Sequence, residues 1–528
     1  MTPVIDRLLQ RFPSTASLLL GALAAGGYPP FRLWPLALLA MGLAALLFHR
    51  APDWRIAALR GWLFGVAHFT ATNAWIATAF THQSEMPVAL GWAAVPLLSL
   101  YLAAYPGLAA AGAKLALRDE ARAPVFLLAF AALWIVTEWL RSWVFTGYAW
   151  GPFSLAVLGS ENVPGLARLL PWTGTYALSG LAVLLAGLLV WLLLSRRNWP
   201  AVGLAAAVTA AMFAPAGSRV EGTRPYVVVQ PDLDQRELND PRQYERAFVT
   251  LSSLSARRAG DAAGEAAQRI VFWPESGLPD YLRDGYPQRY YRATTAGGDP
   301  AFARRRIGTM LGDNSVLLTG AVDLEIENER AVAAYNVVTA LDADGHILGS
   351  YRKAHLVPYG EYLPMRSLLE PLGLSRLVAG SIDFHEGPGP RTVDLGSYGR
   401  AGMQICYEIV FSGQVVDRSD RPEFLFNPSN DGWFGAWGPP QHFSQARMRA
   451  IEEGLPVIRA TTTGISGVID ADGVVRQSLG MRAEDRLTGL IPPAKEPTLF
   501  ARLGNTLALA WALVLLGLTL VAMRWQRG

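Results

Sequence analysis

Apolar positions follow two different regimes along this chain. Up to about residue 218 they form long, nearly unbroken runs, near 13–29, 33–49, 60–80, 88–112, 123–143, 170–194 and 199–216. One more run covers roughly 503–523. A helix needs about 20 mostly apolar residues to cross a bilayer, so the pattern predicts seven spans, then an eighth at the far end. The first run stops at Gly26-Gly27-Tyr28-Pro29-Pro30. Further runs follow at once with no small-residue cleavage site, which argues against a removable secretion signal. Between Arg219 and about Ala494 the apolar runs shrink to four to six residues: Tyr226–Val229, Ile270–Trp273, Val316–Thr319, Val337–Ala340, Ala401–Ile405, Phe424–Phe426 and Val457–Ala460. They are rich in β-branched and aromatic types and read as strands. Stretches 240–259 and 441–453 have helical character, and strands mixed with helices predict an α/β domain. The expected organisation is a membrane domain over 1–218, a soluble domain over 219–498 and a membrane helix over 499–528.

Composition sharpens that division. Hydrophobic residues make up 51% of the chain and charged ones 17%, against roughly 25% charged in an ordinary globular protein. Of 43 acidic residues only Asp6, Asp53, Glu85, Asp119, Glu120, Glu138 and Glu161 precede Arg219. Lys and Arg in short loops mark the cytoplasmic side. With the N-terminus inside, the inner segments hold Arg7, Arg11, Arg50, Arg55, Arg60, Lys114, Arg118, Arg122, Arg196, Arg197, Arg524 and Arg527; the outer ones hold Arg32, Arg141 and Arg168. That bias predicts both termini in the cytoplasm and the 219–498 region outside. The net charge of +3 gathers into no basic face, which argues against nucleic-acid binding. The single cysteine, Cys406, rules out an intramolecular disulfide.

Two features near the outer end of the fifth run have ordinary explanations. Glu138 and Arg141 sit three apart on one helical face, as an interfacial ion pair that snorkels to water would. Thr146-Gly147-Tyr148-Ala149-Trp150 reads as aromatic anchoring at the membrane surface.

Candidate chemistry sits at strand ends, which are stiff platforms for converging side chains. Glu275 closes the Ile270–Trp273 run, Cys406 closes Ala401–Ile405, and Lys353 lies in Tyr351-Arg-Lys-Ala-His-Leu-Val-Pro-Tyr-Gly-Glu-Tyr-Leu-Pro364. Any one of them has a plainer explanation: a lone cysteine is usually a small buried hydrophobe, and most lysines are solvated. Together they suit acyl transfer. A cysteine breaks an ester by forming a thioester, a carboxylate moves the thiol proton, and a cation stabilises the oxyanion. The seven histidines form no cluster with metal-ligand spacing, and no nucleotide loop is evident, so no cofactor is expected.

Glu, Lys and Cys in this chain order resemble the nitrilase superfamily. The coupling of such a domain to about eight spans narrows the resemblance to the apolipoprotein N-acyltransferase family. Tyr359-Gly360-Glu361, Asn427-Pro-Ser-Asn-Asp-Gly-Trp-Phe434, Gln441-His442, Ala446-Arg-Met-Arg-Ala450 and Arg459-Ala-Thr461 add to it. The resemblance covers essentially the whole chain. It implies an extracytoplasmic αββα sandwich joined to a multi-span helical bundle in the bacterial inner membrane. It implies a phospholipid acyl donor, a diacylglyceryl-modified apolipoprotein acceptor and a monomer. Glu275, Lys353 and Cys406 would be catalytic, with Glu361, Tyr359, Tyr407, Glu408 and Trp433 supporting the site or binding substrate. Within that set, Tyr407 and Glu408 would serve the acceptor step or simply hydrogen-bond at the turn. Trp433 and Phe434 would form part of a mobile arm or pack across a turn. Where the family often has Gln-Gly-Asn and then a tryptophan, this chain has Gln230-Pro231-Asp232 and Leu238. The alternative function is a membrane-bound amidase that uses the same three residues with water as acceptor.

Overall fold

The computed structural model describes residues 11–82, 87–117, 122–261, 267–373, 375–377 and 382–527. Arg7 and Arg118, which count towards the charge bias, lie outside the described residues. The first half is helical: α1 (Pro13–Ala25), α2 (Trp34–His49), α3 (Trp54–Thr72), α4 (Ala89–Leu102), α5 (Ala104–Leu117), α6 (Ala123–Arg141), α7 (Leu170–Leu194) and α8 (Asn198–Phe213). α4 and α5 make one apolar rod with a break at Ala103. Pro106 has no N–H to donate to the carbonyl of Leu102, so the ladder lapses there.

Among the described residues four helical segments are long and apolar enough to cross a membrane: Ala89–Leu117, Ala123–Arg141, Leu166–Leu194 and Thr506–Gln526. α1, α2 and α8 are apolar but shorter. The helices pack through small residues, as expected where lipid gives apolar side chains no reason to cluster. A Cβ on Gly61 would lie 2.7 Å from the carbonyl oxygen of Pro106, and one on Gly65 would lie 2.8 Å from the Cα of Ala103. This Gly-xxx-Gly pair lets α3 and α5 touch backbone to backbone.

Glu138 and Arg141 do not reach water. They are 5% and 2% exposed, because the chain after α6 folds back over the helix end and its backbone needs partners. Arg141 Nη1 donates to the carbonyls of Tyr148 and Trp150, both at 2.9 Å. Glu138 Oε1 accepts from the Phe153 N–H at 2.8 Å. Trp150 is likewise buried and is no surface anchor, while Trp143 and Phe145 nearby are exposed.

The second half contains two six-stranded sheets. The strands are β1 (Pro225–Pro231), β2 (Arg269–Phe272), β3 (Ser315–Glu327), β4 (Arg330–Asp342), β5 (Ile347–Arg352), β6 (Thr392–Asp394), β7 (Arg400–Met403), β8 (Phe424–Ser429), β9 (Val457–Thr461), β10 (Ser466–Ile469), β11 (Val475–Leu479) and β12 (Glu484–Leu490). The orders are β12-β1-β2-β3-β4-β5 and β11-β10-β9-β8-β7-β6. In each sheet the three central strands are parallel and the flanking ones antiparallel. Tyr226, Val228, Ile270, Phe272, Val316 and Leu318 face inward and meet Met403, Phe424, Phe426 and Ile458 of the other sheet. Their neighbours Val227, Val229, Val271 and Leu317 face outward. There they are covered by α9 (Tyr244–Ser255) and α10 (Pro300–Leu311) through Phe248, Leu251, Ile307 and Leu311. Burial on both faces explains why these strands read as continuous apolar runs.

The other outer face is covered by α11 (Gly438–Glu453). Phe443, Ala446 and Ala450 of α11 pack with the residues of that sheet, whereas Met448 and Ile451 pack into the helical bundle. α11 is therefore both the fourth layer of an αββα sandwich and the joint to the bundle. α12 (Thr506–Arg527) returns to the bundle and packs on α6 and α7 through Ala508, Ala512 and Leu515.

Candidate active site

Three strand ends place Glu275, Lys353 and Cys406. β2 runs into Trp273, whose backbone N–H still bonds to Leu318 O on β3 at 2.9 Å. Pro274 and Glu275 then lie directly over Gly320 of β3, where a Cβ would collide with the Glu275 backbone. Lys353 follows β5, and its N–H donates to Asn336 O on β4 at 2.9 Å. Cys406 opens a short turn after β7 with φ +48°, a left-handed conformation that costs a non-glycine residue about 1–3 kcal/mol. The elbow turns the thiol out of the line of the strand.

The side chains form one connected group. Glu361 holds the Lys353 ammonium between its two oxygens, at 3.0 Å and 2.9 Å, and Glu275 Oε1 stands 3.5 Å from it. Asn336 Nδ2 bridges the two carboxylates, donating to Glu275 Oε1 at 2.8 Å and Glu361 Oε1 at 3.1 Å. Glu275 Oε2 accepts the Asn430 backbone N–H at 2.8 Å, and Glu361 Oε2 accepts the Val357 N–H at 2.8 Å. Both carboxylates are thus held at both oxygens.

Burial alone would push the Lys353 ammonium down. Glu361 and then Glu275 outweigh it and hold the group above its ordinary range, fully protonated. The thiol goes the other way. Burial pushes Cys406 well above its ordinary value, the Glu275 charge adds to that, and Lys353 opposes it. The site therefore holds a neutral thiol beside a fixed carboxylate. Burial keeps the thiol protonated at rest, so deprotonation must accompany attack.

The supporting residues divide by position. Glu361 is the immediate partner of Lys353. Glu408, almost wholly buried, accepts from Tyr351 Oη at 2.7 Å, Ala354 N at 2.7 Å, His355 N at 3.1 Å and Ile405 N at 2.8 Å. It clamps the cysteine turn to the segment carrying Lys353. Burial pushes its carboxyl up to about 7 against the pull of those donors. Tyr407 is buried edge-on against Phe411 at 5.1 Å. Tyr359 is 40% exposed, with φ +61°. Trp433 is half-buried edge-on to His82 at 5.8 Å. Phe434 packs among Trp75, Trp150 and His442.

Asn336 and Asn430 were missed. Asn336 had a legible signal: a lone amide inside the apolar strand Ala333-Ala-Tyr-Asn-Val-Val338. Asn430 acts through its backbone on Glu275 and through Nδ2 on Gln235 Oε1 at 2.9 Å, neither of which leaves a mark in sequence. Gln235 and Leu238 share a short helix capped by Asp234. Far from this site, Asp342, Asp344 and His346 cluster on the exposed turn after β4. Asp342 there accepts the backbone N–H groups of the other two, an ordinary turn arrangement.

Comparison with known proteins distinguishes among chemistries that such a group supports. Residues 228–495 match the family described as carbon-nitrogen hydrolase. Residues 20–188 match the apolipoprotein N-acyltransferase N-terminal domain. The apolipoprotein N-acyltransferase of Rhodopseudomonas palustris is 33% identical over 96% of this chain and 94% of its own. That of Bradyrhizobium diazoefficiens is 33% identical over 92% and 90%. Among solved structures, Saccharomyces cerevisiae Nit3 of the nitrilase superfamily is 16% identical over 53% of this chain and 93% of its own, with a TM-score of 0.35. The two relatives named match bundle and sandwich together over nearly the whole chain, and on that ground this membrane protein belongs to the apolipoprotein N-acyltransferase family.

Proposed function

We propose that the protein moves a fatty acyl group from a membrane phospholipid to the N-terminal α-amine of a diacylglyceryl-cysteine on an apolipoprotein, carried as a thioester on Cys406. The observation that carries this is the convergence of a buried thiol, a doubly held carboxylate and a buried ammonium from three strand ends. Sγ attacks the donor ester carbonyl as its proton passes to Glu275. The carbonyl π pair moves onto oxygen, facing Lys353 and the N–H of Tyr407. Collapse expels the glycerol oxygen, which takes the proton back from Glu275. The acceptor amine then attacks the thioester, again losing a proton to Glu275, and thiol and amide are released. Each positioned oxyanion donor is worth about 3–4 kcal/mol of barrier. Tyr359, Tyr407 and Trp433 stand around this centre as the substrate-facing residues.

The bundle supplies access. Two lipidated substrates confined to a bilayer meet by lateral search, which raises their effective concentration. The Arg and Lys bias supports cytoplasmic termini, a 219–498 domain on the periplasmic face of the inner membrane and eight spans, with α1, α2, α3 and α8 crossing beside the four long helices. We take the active unit to be one chain. The family match over residues 20–188 favours the transferase over the amidase reading.

Mass spectrometry of the purified protein incubated with phospholipid and no acceptor tests the scheme. One acyl group should accumulate on Cys406 and be discharged by a diacylglyceryl peptide with a free amine. Absence of the adduct, or discharge by water as fast as by the peptide, would sink it.

A further inference from the structure

Behind the cysteine turn lies a second buried charged group, assembled from three elements. Asp431 follows β8, His442 lies in α11 and Arg459 in β9, and all three side chains are inaccessible to solvent. Arg459 Nη2 donates to both Asp431 oxygens at 2.8 Å, and Nη1 holds Asn427 and Ser429. Burial pushes the Asp431 carboxyl up, but Arg459 and His442 outweigh it and keep it below its ordinary value. His442 Nδ1 lies 2.9 Å from Asp431 Oδ1 and from Arg459 Nη2. Its other nitrogen, Nε2, lies 3.0 Å from the carbonyl oxygen of Cys406. A carbonyl only accepts, so Nε2 carries a proton whichever charge the ring has. Asn427 Nδ2 approaches the same oxygen at 3.4 Å. Trp150, from the membrane-side loop, packs on the ring at 5.2 Å, and its Nε1–H donates to Gln441 Oε1 at 2.9 Å.

The bonded carbonyl belongs to the Cys406–Tyr407 peptide. A trans peptide is planar, with C=O and N–H pointing in opposite directions. Fixing the oxygen therefore aims the Tyr407 N–H. Among the described residues nothing in the protein accepts from that N–H. A hydrogen bond on the carbonyl also polarises the amide and makes its N–H a stronger donor. We infer that His442, braced by Asp431 and Arg459, is a positioning residue that holds and polarises the Cys406–Tyr407 peptide so that its N–H stabilises the oxyanion of acyl transfer. The ring touches neither thiol nor substrate; it acts through the peptide.

This rests on Cys406 being the acyl carrier, so the test uses two reactions of the same thiol. Thioester formation from a diacyl phospholipid in micelles passes through an oxyanion, whereas alkylation by iodoacetamide does not. In the full-length, detergent-solubilised protein, His442→Phe should slow thioester formation roughly tenfold, a fraction of the roughly 10²–10³ lost with a direct donor. Alkylation and its pH profile should stay within about twofold. His442→Gln, whose amide N–H can still reach the carbonyl, should recover most of the loss. The inference is overturned by an unchanged acylation rate in His442→Phe, by both reactions changing together, or by His442→Gln being as slow as His442→Phe. If the unsubstituted protein forms no thioester, the role of Cys406 itself is what fails.

Discussion

The two outer faces of the sandwich are covered in opposite ways. α9 and α10 each bury one stripe, Ala247, Phe248, Leu251 and Leu254 in the first and Ala303, Ile307 and Leu311 in the second, and show their remaining faces to solvent. That is the ordinary amphipathic arrangement. α11 buries every residue except Pro440, including His442, Arg447, Arg449, Glu452 and Glu453. Its charges are therefore internal bonds. Arg447 donates to the carbonyls of Gly159, Ser160 and Gly473 at 3.0, 2.6 and 2.8 Å. Glu452 Oε1 accepts from the Thr175 N–H and hydroxyl, both at 2.6 Å, and from the Ser412 hydroxyl at 2.9 Å. A helix that looks polar by composition is here the most enclosed in the soluble half, because it fastens that half to the bundle.

The same substitution made in both helices tests this contrast most severely. Arg447→Leu removes the donor shared by the carbonyls of Gly159, Ser160 and Gly473 from inside the joint and should cost about 3–5 kcal/mol of stability. Arg305→Leu on the exposed face of α10 should stay within about 0.5 kcal/mol. Thermal unfolding in one detergent decides between them, and equal losses would mean that α11 is no joint. Next in size is Glu361→Gln. Without that charge, burial drives the Lys353 ammonium down, so thioester formation should fall about a hundredfold and its alkaline limb should move to lower pH. A variant that kept the full rate would detach Glu361 from the chemistry.

The contrast also explains what was legible in advance. β1, β2, β7, β8 and β9 lie at the centre of the sandwich, and their apolar runs announce them. β11 (Val475–Leu479) and β12 (Glu484–Leu490) flank the centre and are half-exposed, so they form no continuous apolar run, and neither does β5. α10 escaped because Pro300–Leu311 carries three consecutive arginines. Glu275, Lys353 and Cys406 were readable because each closes a strand-like segment inside a family motif. Asn430 was not, since it lies 155 residues from Glu275, and the 441–453 stretch shows helical character but no sign of its role as a joint until the bundle is laid against it. Gly320→Ala probes one such hidden partner. Its methyl would sit 2.0 Å from the Glu275 carbonyl oxygen, so the Glu275 backbone must move off β3 by about 1 Å or more, which should slow acylation about a hundredfold. Overpacking should lower stability as well, and a normal rate would show that Glu275 tolerates being moved.

The smallest effect comes from Glu453, at the last turn of α11, and it separates buried from exposed charge by sign. Burial, and after it the neighbouring Glu452, pushes the Glu453 carboxyl up to about 7, from an ordinary value of about 4.3 in the unfolded chain. Between those two values the folded protein binds a proton that the unfolded chain does not, so this group's contribution to stability rises as pH falls from 7 towards 4.3. Above 7 both states are ionised and the native protein carries the full cost of a buried charge. Glu453→Gln removes the titration while keeping shape and polarity. The stability of the unsubstituted protein relative to this variant should therefore increase on going from pH 8 to pH 5. One pKa unit is worth about 1.4 kcal/mol, and Glu452 shares the proton, so the change should be on the order of 1–2 kcal/mol. If the Glu453 difference is flat or runs the other way, the end of α11 is wetter than its packing implies, and the enclosed part of the joint stops short of its last turn.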